Sequence, residues 1–185
     1  MKNPWKTIET KRIYENPWIK VIENKVINPS GNNGIYGVVE FKNIAVGVIP
    51  IDKDLNTWIV GQYRYTLDQF SWEMPEGGCL KENEAILEAC KRELEEETGL
   101  SAQKFTPIME LYLSNSVTNE IAYSFLATDL TLGMPKPEET EQLTLKKLPF
   151  FDLYEMCLSN EITDAFTVAS VLKLKAMMDK GEVMI

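Results

Sequence analysis

Near residue 83 the hydrophobic pattern of this 185-residue chain changes period, and that change limits the fold more than any other feature. Upstream the sequence reads as strands. Trp18-Ile19-Lys20-Val21-Ile22 alternates apolar and charged residues, as a half-buried strand does. Residues 36–41, 45–51 and 57–63 are further β-rich runs, with turn chemistry at 28–34 and at Asp52-Lys53-Asp54. The run 45–51 is continuously apolar, which predicts a strand covered on both faces. Downstream, Asn83 is the expected N-cap of a helix over 84–98, and Gly99 occupies the left-handed position that ends it. Ile86, Leu87, Cys90 and Leu94 give that helix one apolar stripe. Strand patterns return at 106–113, 121–127 and 143–148. Pro149 opens a short helix to about Leu158, and 164–178 reads as a last amphipathic helix. The fold class is therefore α/β: a mixed sheet with helices packed on it, and an exposed loop at 133–140.

Composition removes whole classes of chemistry. The chain has no histidine, so Ser-His-Asp and Cys-His nucleophiles, His-ligated zinc and imidazole acid/base steps are all excluded. Any catalysis must run on carboxylates, hydroxyls, Lys or Arg and a hard, oxygen-loving cation. Cys79, Cys90 and Cys157 are odd in number and far apart, as expected of reduced thiols in a cytoplasm. With 19 Lys plus Arg against 28 Asp plus Glu, the net charge is −9, which disfavours nucleic acid and anionic membranes as partners. The longest apolar run is the seven residues 45–51, too short to span a bilayer, and the start MKNPWKTIETKR lacks the apolar core of a secretory signal.

The predicted helix is acidic in a costly place. Seven glutamates lie between 82 and 97 against Lys91 and Arg92. Glu93, Glu95, Glu96 and Glu97 crowd the last turns, where the helix dipole is negative and each carboxylate costs about 0.3–1 kcal/mol. Glu93, Glu96 and Glu97 share one broad face, so a divalent cation would turn their repulsion into binding energy. The alternative is a solvated acidic face with Arg92 bridging Glu88 and Glu96.

The surrounding spacing narrows the choice. From Gly78 the chain reads Gly78-x5-Glu84-x7-Arg92-Glu93-Leu94-x-Glu96-Glu97-x-Gly99-Leu100, nine specified positions over 23 residues. This resembles the signature of the Nudix hydrolases at every specified position. The resemblance implies a Nudix α/β/α sandwich with a mixed sheet and an N-terminal antiparallel strand extension. It further implies Mg²⁺ (or Mn²⁺) and hydrolysis of a nucleoside diphosphate linked to another group. Carried over by position, Glu93 and Glu97 are similar to direct metal ligands, Glu96 to a further or water-mediated ligand, and the Gly77 carbonyl to a metal-binding carbonyl. Arg92 would orient the carboxylates, and Glu84 resembles a structural group. Phosphoanhydride cleavage needs mainly an aligned water and neutralised charge, so the lack of histidine is no obstacle.

Outside this box the chain is similar to ADP-ribose and GDP-mannose pyrophosphatases. Gln62-Tyr63-Arg64-Tyr65, Glu73-Met74-Pro75-Glu76-Gly77-Gly78, Leu148-Pro149-Phe150 and Glu161-Ile162-Thr163-Asp164 carry that likeness. It implies that Glu141, with Glu139 as second choice, is a loop base or extra metal ligand, and that Glu120 is a substrate-side acid. Arg64 suits a phosphate contact, and Trp18 or Tyr36 would stack on the base. It also implies that residues 1–42 form an N-terminal β region, dimerising by strand exchange, and that 43–185 form the Nudix hydrolase domain, one structural unit overall. The partner's Trp18 or Tyr36 would then line the site of a homodimer. Where those pyrophosphatases usually carry Ser-Pro-Gly, this chain has Ser114-Asn115-Ser116, which favours a broader nucleoside diphosphate sugar hydrolase over strict ADP-ribose specificity. Two other readings stay open: a Nudix hydrolase of nucleoside triphosphates or dinucleoside polyphosphates, and a non-catalytic nucleotide-sensing module.

Overall fold

β4 (Asn43–Pro50) is the strand on which the rest of the molecule is assembled. In the computed structural model, which describes residues 1–80, 84–134 and 142–184, β4 pairs in parallel with β9 (Ile121–Leu132) and antiparallel with β7 (Glu76–Leu80). β8 (Leu100–Tyr112) completes a mixed sheet of order β7-β4-β9-β8. Its alternate residues face opposite ways. Val46 and Val48 pack under α1 (Ile86–Thr98) with Ala89, Cys90 and Leu94, while Ile49 belongs to the core beneath α2 (Phe150–Leu158) and α3 (Ala165–Asp179). Each such buried aliphatic side chain contributes about 1.5–3 kcal/mol. The apolar run 45–51 is thus covered on both faces, and the expected sandwich of helices about a mixed sheet is present.

A second sheet, of order β10-β5-β6, brings together β5 (Asn56–Arg64), β6 (Gln69–Glu73) and β10 (Thr144–Pro149). β6 and β7 lie in the stretch read from sequence only as a motif. Both are short, and β7 has two adjacent glycines, so neither shows a strand's alternation. The N-terminal extension is a separate antiparallel sheet, β1 (Lys6–Glu15), β2 (Ile19–Ile27) and β3 (Asn33–Phe41). Every residue of β1 is exposed. The extension is joined to the body where Val39 N–H donates to the Val117 carbonyl at 2.9 Å and Phe41 N–H donates to Asn119 Oδ1 at 2.7 Å.

The glutamate helix is shorter than its sequence suggests. It begins at Ile86, and Ala85 stands at the N-cap without a side-chain bond; the expected cap, Asn83, lies outside the described residues. Leu87 turns outward, and Ala89 takes its place in the buried stripe. At the other end Gly99 has φ 73°, a left-handed conformation that costs glycine nothing, and its N–H closes on the Glu95 carbonyl. β8 then starts at once, six residues earlier than the alternation reveals, with its register shifted between Pro107 and Met109. α2 begins after Pro149, and α3 is capped by Asp164, whose carboxylate accepts from Thr167 N–H at 2.6 Å.

Candidate active site

Burial sorts the glutamates at the end of α1. Glu93 and Glu97 are 8% and 3% exposed, whereas Glu95 faces solvent and Glu96 is intermediate. Buried carboxylates are costly without partners, and the fold supplies them from two directions. Arg92 Nη1 donates to Glu93 Oε1 and to Glu96 Oε2, both at 2.9 Å. The backbone N–H of Glu76, on β7, donates to Glu97 Oε2 at 3.0 Å.

Arg92 does more than bridge neighbouring turns. Its Nε donates to Glu84 Oε1 at 3.0 Å and its Nη2 to the Gly78 carbonyl at 2.9 Å. The expected Glu88 partner is absent: Glu88 pairs with Lys91 at 2.8 Å. The guanidinium is instead filled by Glu84, which precedes the helix, and by Glu93, Glu96 and the Gly78 carbonyl. The Glu84 bond and the flanking acids raise the Arg92 pKa further, so this charge is permanent.

Gly77 lies directly beneath Glu93. A Cβ there would overlap the Glu93 carboxylate, so only glycine permits this approach. The result is a cradle of hard oxygen donors, with a carboxylate pressed against the backbone of β7 and a second carboxylate tied to the preceding residue. That donor set fits Mg²⁺ or Mn²⁺ and is unsuited to a soft metal. The cysteines offer no alternative: all three are buried and unpaired with each other, and burial pushes the Cys90 thiol up to about 12 and Cys157 to about 11.

Beside the cradle opens a cavity of about 600 Å³, whose walls include Arg64, Glu73, Glu76, Gly77, Glu120 and Asp164. Here the structure assembles a cluster that sequence spacing does not reveal. Single oxygens of Glu73, Glu76 and Asp164 lie within 4.8 Å of one another. Among the described residues it is this trio, rather than Glu93, Glu96 and Glu97, whose oxygens converge so tightly. Arg64 grips Glu73 with Nε at 2.9 Å and with Nη2, and reaches Glu76 Oε1 at 3.2 Å. Glu76 Oε2 is buried with no hydrogen-bond partner. Burial, then the charges of Asp164 and Glu73, push the Glu76 carboxyl well above the usual range. Burial and Asp164 also raise Glu120.

The other sequence-predicted residues are dispersed. Trp18 is 65% exposed in the turn between β1 and β2. Tyr36 donates its hydroxyl to the Ser116 carbonyl at 2.8 Å and packs edge-on against Trp5. Neither lines the cavity in this chain. Glu141 and Glu139 lie outside the described residues. In the sequence Glu73 and Asp164 stand only inside longer motifs; that Glu73 is buried against Arg64, nine residues away, emerges only with the β5–β6 hairpin.

Comparison with known proteins identifies the family. A nucleoside diphosphate sugar hydrolase N-terminal domain matches residues 5–39, and a NUDIX domain matches 41–174. The chain is 31% identical over 172 residues to an ADP-ribose pyrophosphatase of Bacillus subtilis (strain 168), covering 92% of each. It is 27% identical over 178 residues to an ADP-ribose pyrophosphatase of Mycobacterium tuberculosis, covering 95% of this chain and 86% of the relative. A crystal structure of an ADP compounds hydrolase superposes with a TM-score of 0.85 over 97% of both chains at 19% identity, which shows a common fold. Among the described residues no helix is long and apolar enough to cross a membrane. Because the NUDIX match runs over residues 41–174 and includes both the strand and the helix that form the glutamate cradle, the chain belongs to the Nudix family.

Proposed function

We propose that the protein is a Mg²⁺-dependent pyrophosphohydrolase that splits nucleoside diphosphate sugars, ADP-ribose among them, into a nucleoside monophosphate and a sugar phosphate. The observation that carries this reading is the Glu93 carboxylate seated on Gly77, with Glu97 bound to the Glu76 amide, directly behind the wall that Glu76 and Gly77 give the 600 Å³ cavity. Nudix relatives named for ADP-ribose and ADP-sugar hydrolysis support the substrate class.

Glu93, Glu97 and the Gly77 carbonyl would hold the cation, and Glu96 would add a direct or water-mediated ligand. When bound, the ion neutralises charge growing on the diphosphate and activates water. Arg92 keeps Glu93 and Glu96 aimed through its bonds to both. Arg64 has Nε and Nη2 committed to Glu73 and Glu76, so its phosphate contact falls to Nη1. Glu141 serves as loop base or extra ligand, with Glu139 or Glu120 as the other choices. Glu120, already raised by burial, suits a hydroxyl of the sugar half.

Residues 1–42 act as a dimerising, strand-exchanged β region in front of the hydrolase domain at 43–185. Exposed Ile8, Ile13 and Ile35 on the N-terminal sheet, with Trp18 in its β1–β2 turn, support this assignment, and exchange would bring the partner's Trp18 or Tyr36 to the base. A cytoplasmic site of action fits the three reduced thiols.

Assay of ADP-ribose, GDP-mannose, other sugar nucleotides and dinucleoside polyphosphates, with Mg²⁺, Mn²⁺ or chelator, tests the proposal. Sugar nucleotides should be cleaved and chelator should abolish turnover; cleavage of polyphosphates alone would overturn the substrate class. Gly77→Ala, which drives a Cβ into Glu93, should weaken Mn²⁺ binding by about 10–100-fold in a titration followed by electron paramagnetic resonance.

A further inference from the structure

The β6–β7 connection Met74-Pro75 and the first residue of β7, Glu76, are held by side chains of two different helices. Pro75 has no N–H, so Met74 and Glu76 supply the donors of this stretch. The Glu76 N–H ends on Glu97 of α1 at 3.0 Å. The Met74 N–H ends on Thr167 Oγ1 of α3, also at 3.0 Å, across 93 residues of sequence. Between them the Pro75 carbonyl accepts from Val48 N–H at 2.9 Å, which fixes the segment to β4.

Thr167 is fully buried in the first turn of α3, and its own N–H is taken by the capping carboxylate of Asp164. Threonine is a weak helix former, and valine would fill the same space. The hydroxyl therefore has one evident use here, as acceptor for the Met74 amide. Removing it would strand a buried donor two residues from the amide that binds Glu97 and three from Gly77.

We infer that Thr167 is a positioning residue for the metal cradle: through Met74 it sets the Glu76 amide and the Gly77 carbonyl, and with them the orientation of Glu97. The inference rests on the metal site proposed above. Asp164 supports the same link by fixing the turn that presents the Thr167 hydroxyl.

The test compares wild type, Thr167→Val and Thr167→Ser in Mn²⁺ titrations of the metal-free protein, in steady-state kinetics on ADP-ribose with Mg²⁺, and in thermal unfolding. Thr167→Val should bind Mn²⁺ roughly 10-fold more weakly and lose kcat with KM little changed; Thr167→Ser, which keeps the acceptor, should restore both. Leu153→Ala, a core truncation in α2, should lower the unfolding temperature without changing Mn²⁺ affinity. If Thr167→Val does not fold, Thr167→Ala carries the same comparison. Wild-type Mn²⁺ affinity in a folded Thr167→Val or Thr167→Ala protein would overturn the positioning role alone. No Mn²⁺ uptake by the wild type would overturn the metal site and this inference with it.

Discussion

Arg92 and Arg64 each gather a nest of carboxylates, and the segment Glu76-Gly77-Gly78 links the two. Arg92 holds Glu84, Glu93 and Glu96 together with the Gly78 carbonyl. Arg64 holds Glu73 and Glu76, with Asp164 close by. The first nest is built mostly from one helix and leaves Glu84 and Glu96 partly in solvent. The second is drawn from β5, β6, β7 and the cap of α3, and its main acid, Glu73, is 2% exposed. The contrast separates two tasks that look alike by charge count. One arginine fixes the carboxylates proposed as ligands; the other neutralises acids that the fold has buried around a cavity.

The largest effect should come from Glu97, the buried acid beside the first nest that the Glu76 amide holds and that is proposed as a metal ligand. Glu97→Gln should reduce kcat on a sugar nucleotide on the order of 10²–10⁴-fold while leaving the fold intact by circular dichroism. A variant as active as wild type would move catalysis away from the Arg92 side altogether.

A smaller but sharper contrast comes from the arginines themselves. Arg64→Gln leaves Glu73 buried without its cation, and breaking such a pair is strongly destabilising; with Arg64 itself 37% exposed, the loss should be about 2–3 kcal/mol in urea unfolding. Arg92→Gln should cost about 1 kcal/mol or less, since its partners are 10–30% exposed, and should act mainly on Mn²⁺ affinity. Equal stability losses in the two variants would erase the distinction.

The smallest effect concerns the acid that faces Asp164 across the cavity. Burial, then the Asp164 charge, raises the Glu120 pKa in the folded state. A carboxyl with a raised folded pKa favours folding while protonated, so its contribution is most favourable below the unfolded value near 4.5 and falls as pH rises through the folded value. Glu120→Gln should therefore raise the unfolding temperature more at pH 7 than at pH 4. The same increment at both pH values would show that the carboxylate charge is not what opposes folding there.

These two nests also explain what could be read from the chain in advance. Helical spacing of three and four residues brings Glu93, Glu96 and Glu97 to one face before any tertiary contact forms, so the glutamate helix was legible. So was β4, because a strand covered on both faces must be apolar throughout. The helix start at Ile86 was not, since the residues before it carry no side-chain cap bond at Ala85. β1 carries no strand signature in the sequence, because every residue is exposed and its polar and apolar side chains mark no buried face. Glu73 beside Arg64 and Asp164 was hidden for a different reason: its neighbours come from strands and a helix cap as many as 91 residues apart, from Glu73 to Asp164.

The amino-acid sequence by itself determined the helix, its acidic final turns, the glycine that ends it and the absence of imidazole chemistry, because these depend on residue type and short-range periodicity. Tertiary structure alone decided which acids are buried, which arginine holds them, and that a threonine in α3 receives the amide of Met74. Hydrogen bonds and desolvation act between atoms that the chain brings together only when its sheets close, and no local spacing encodes that meeting.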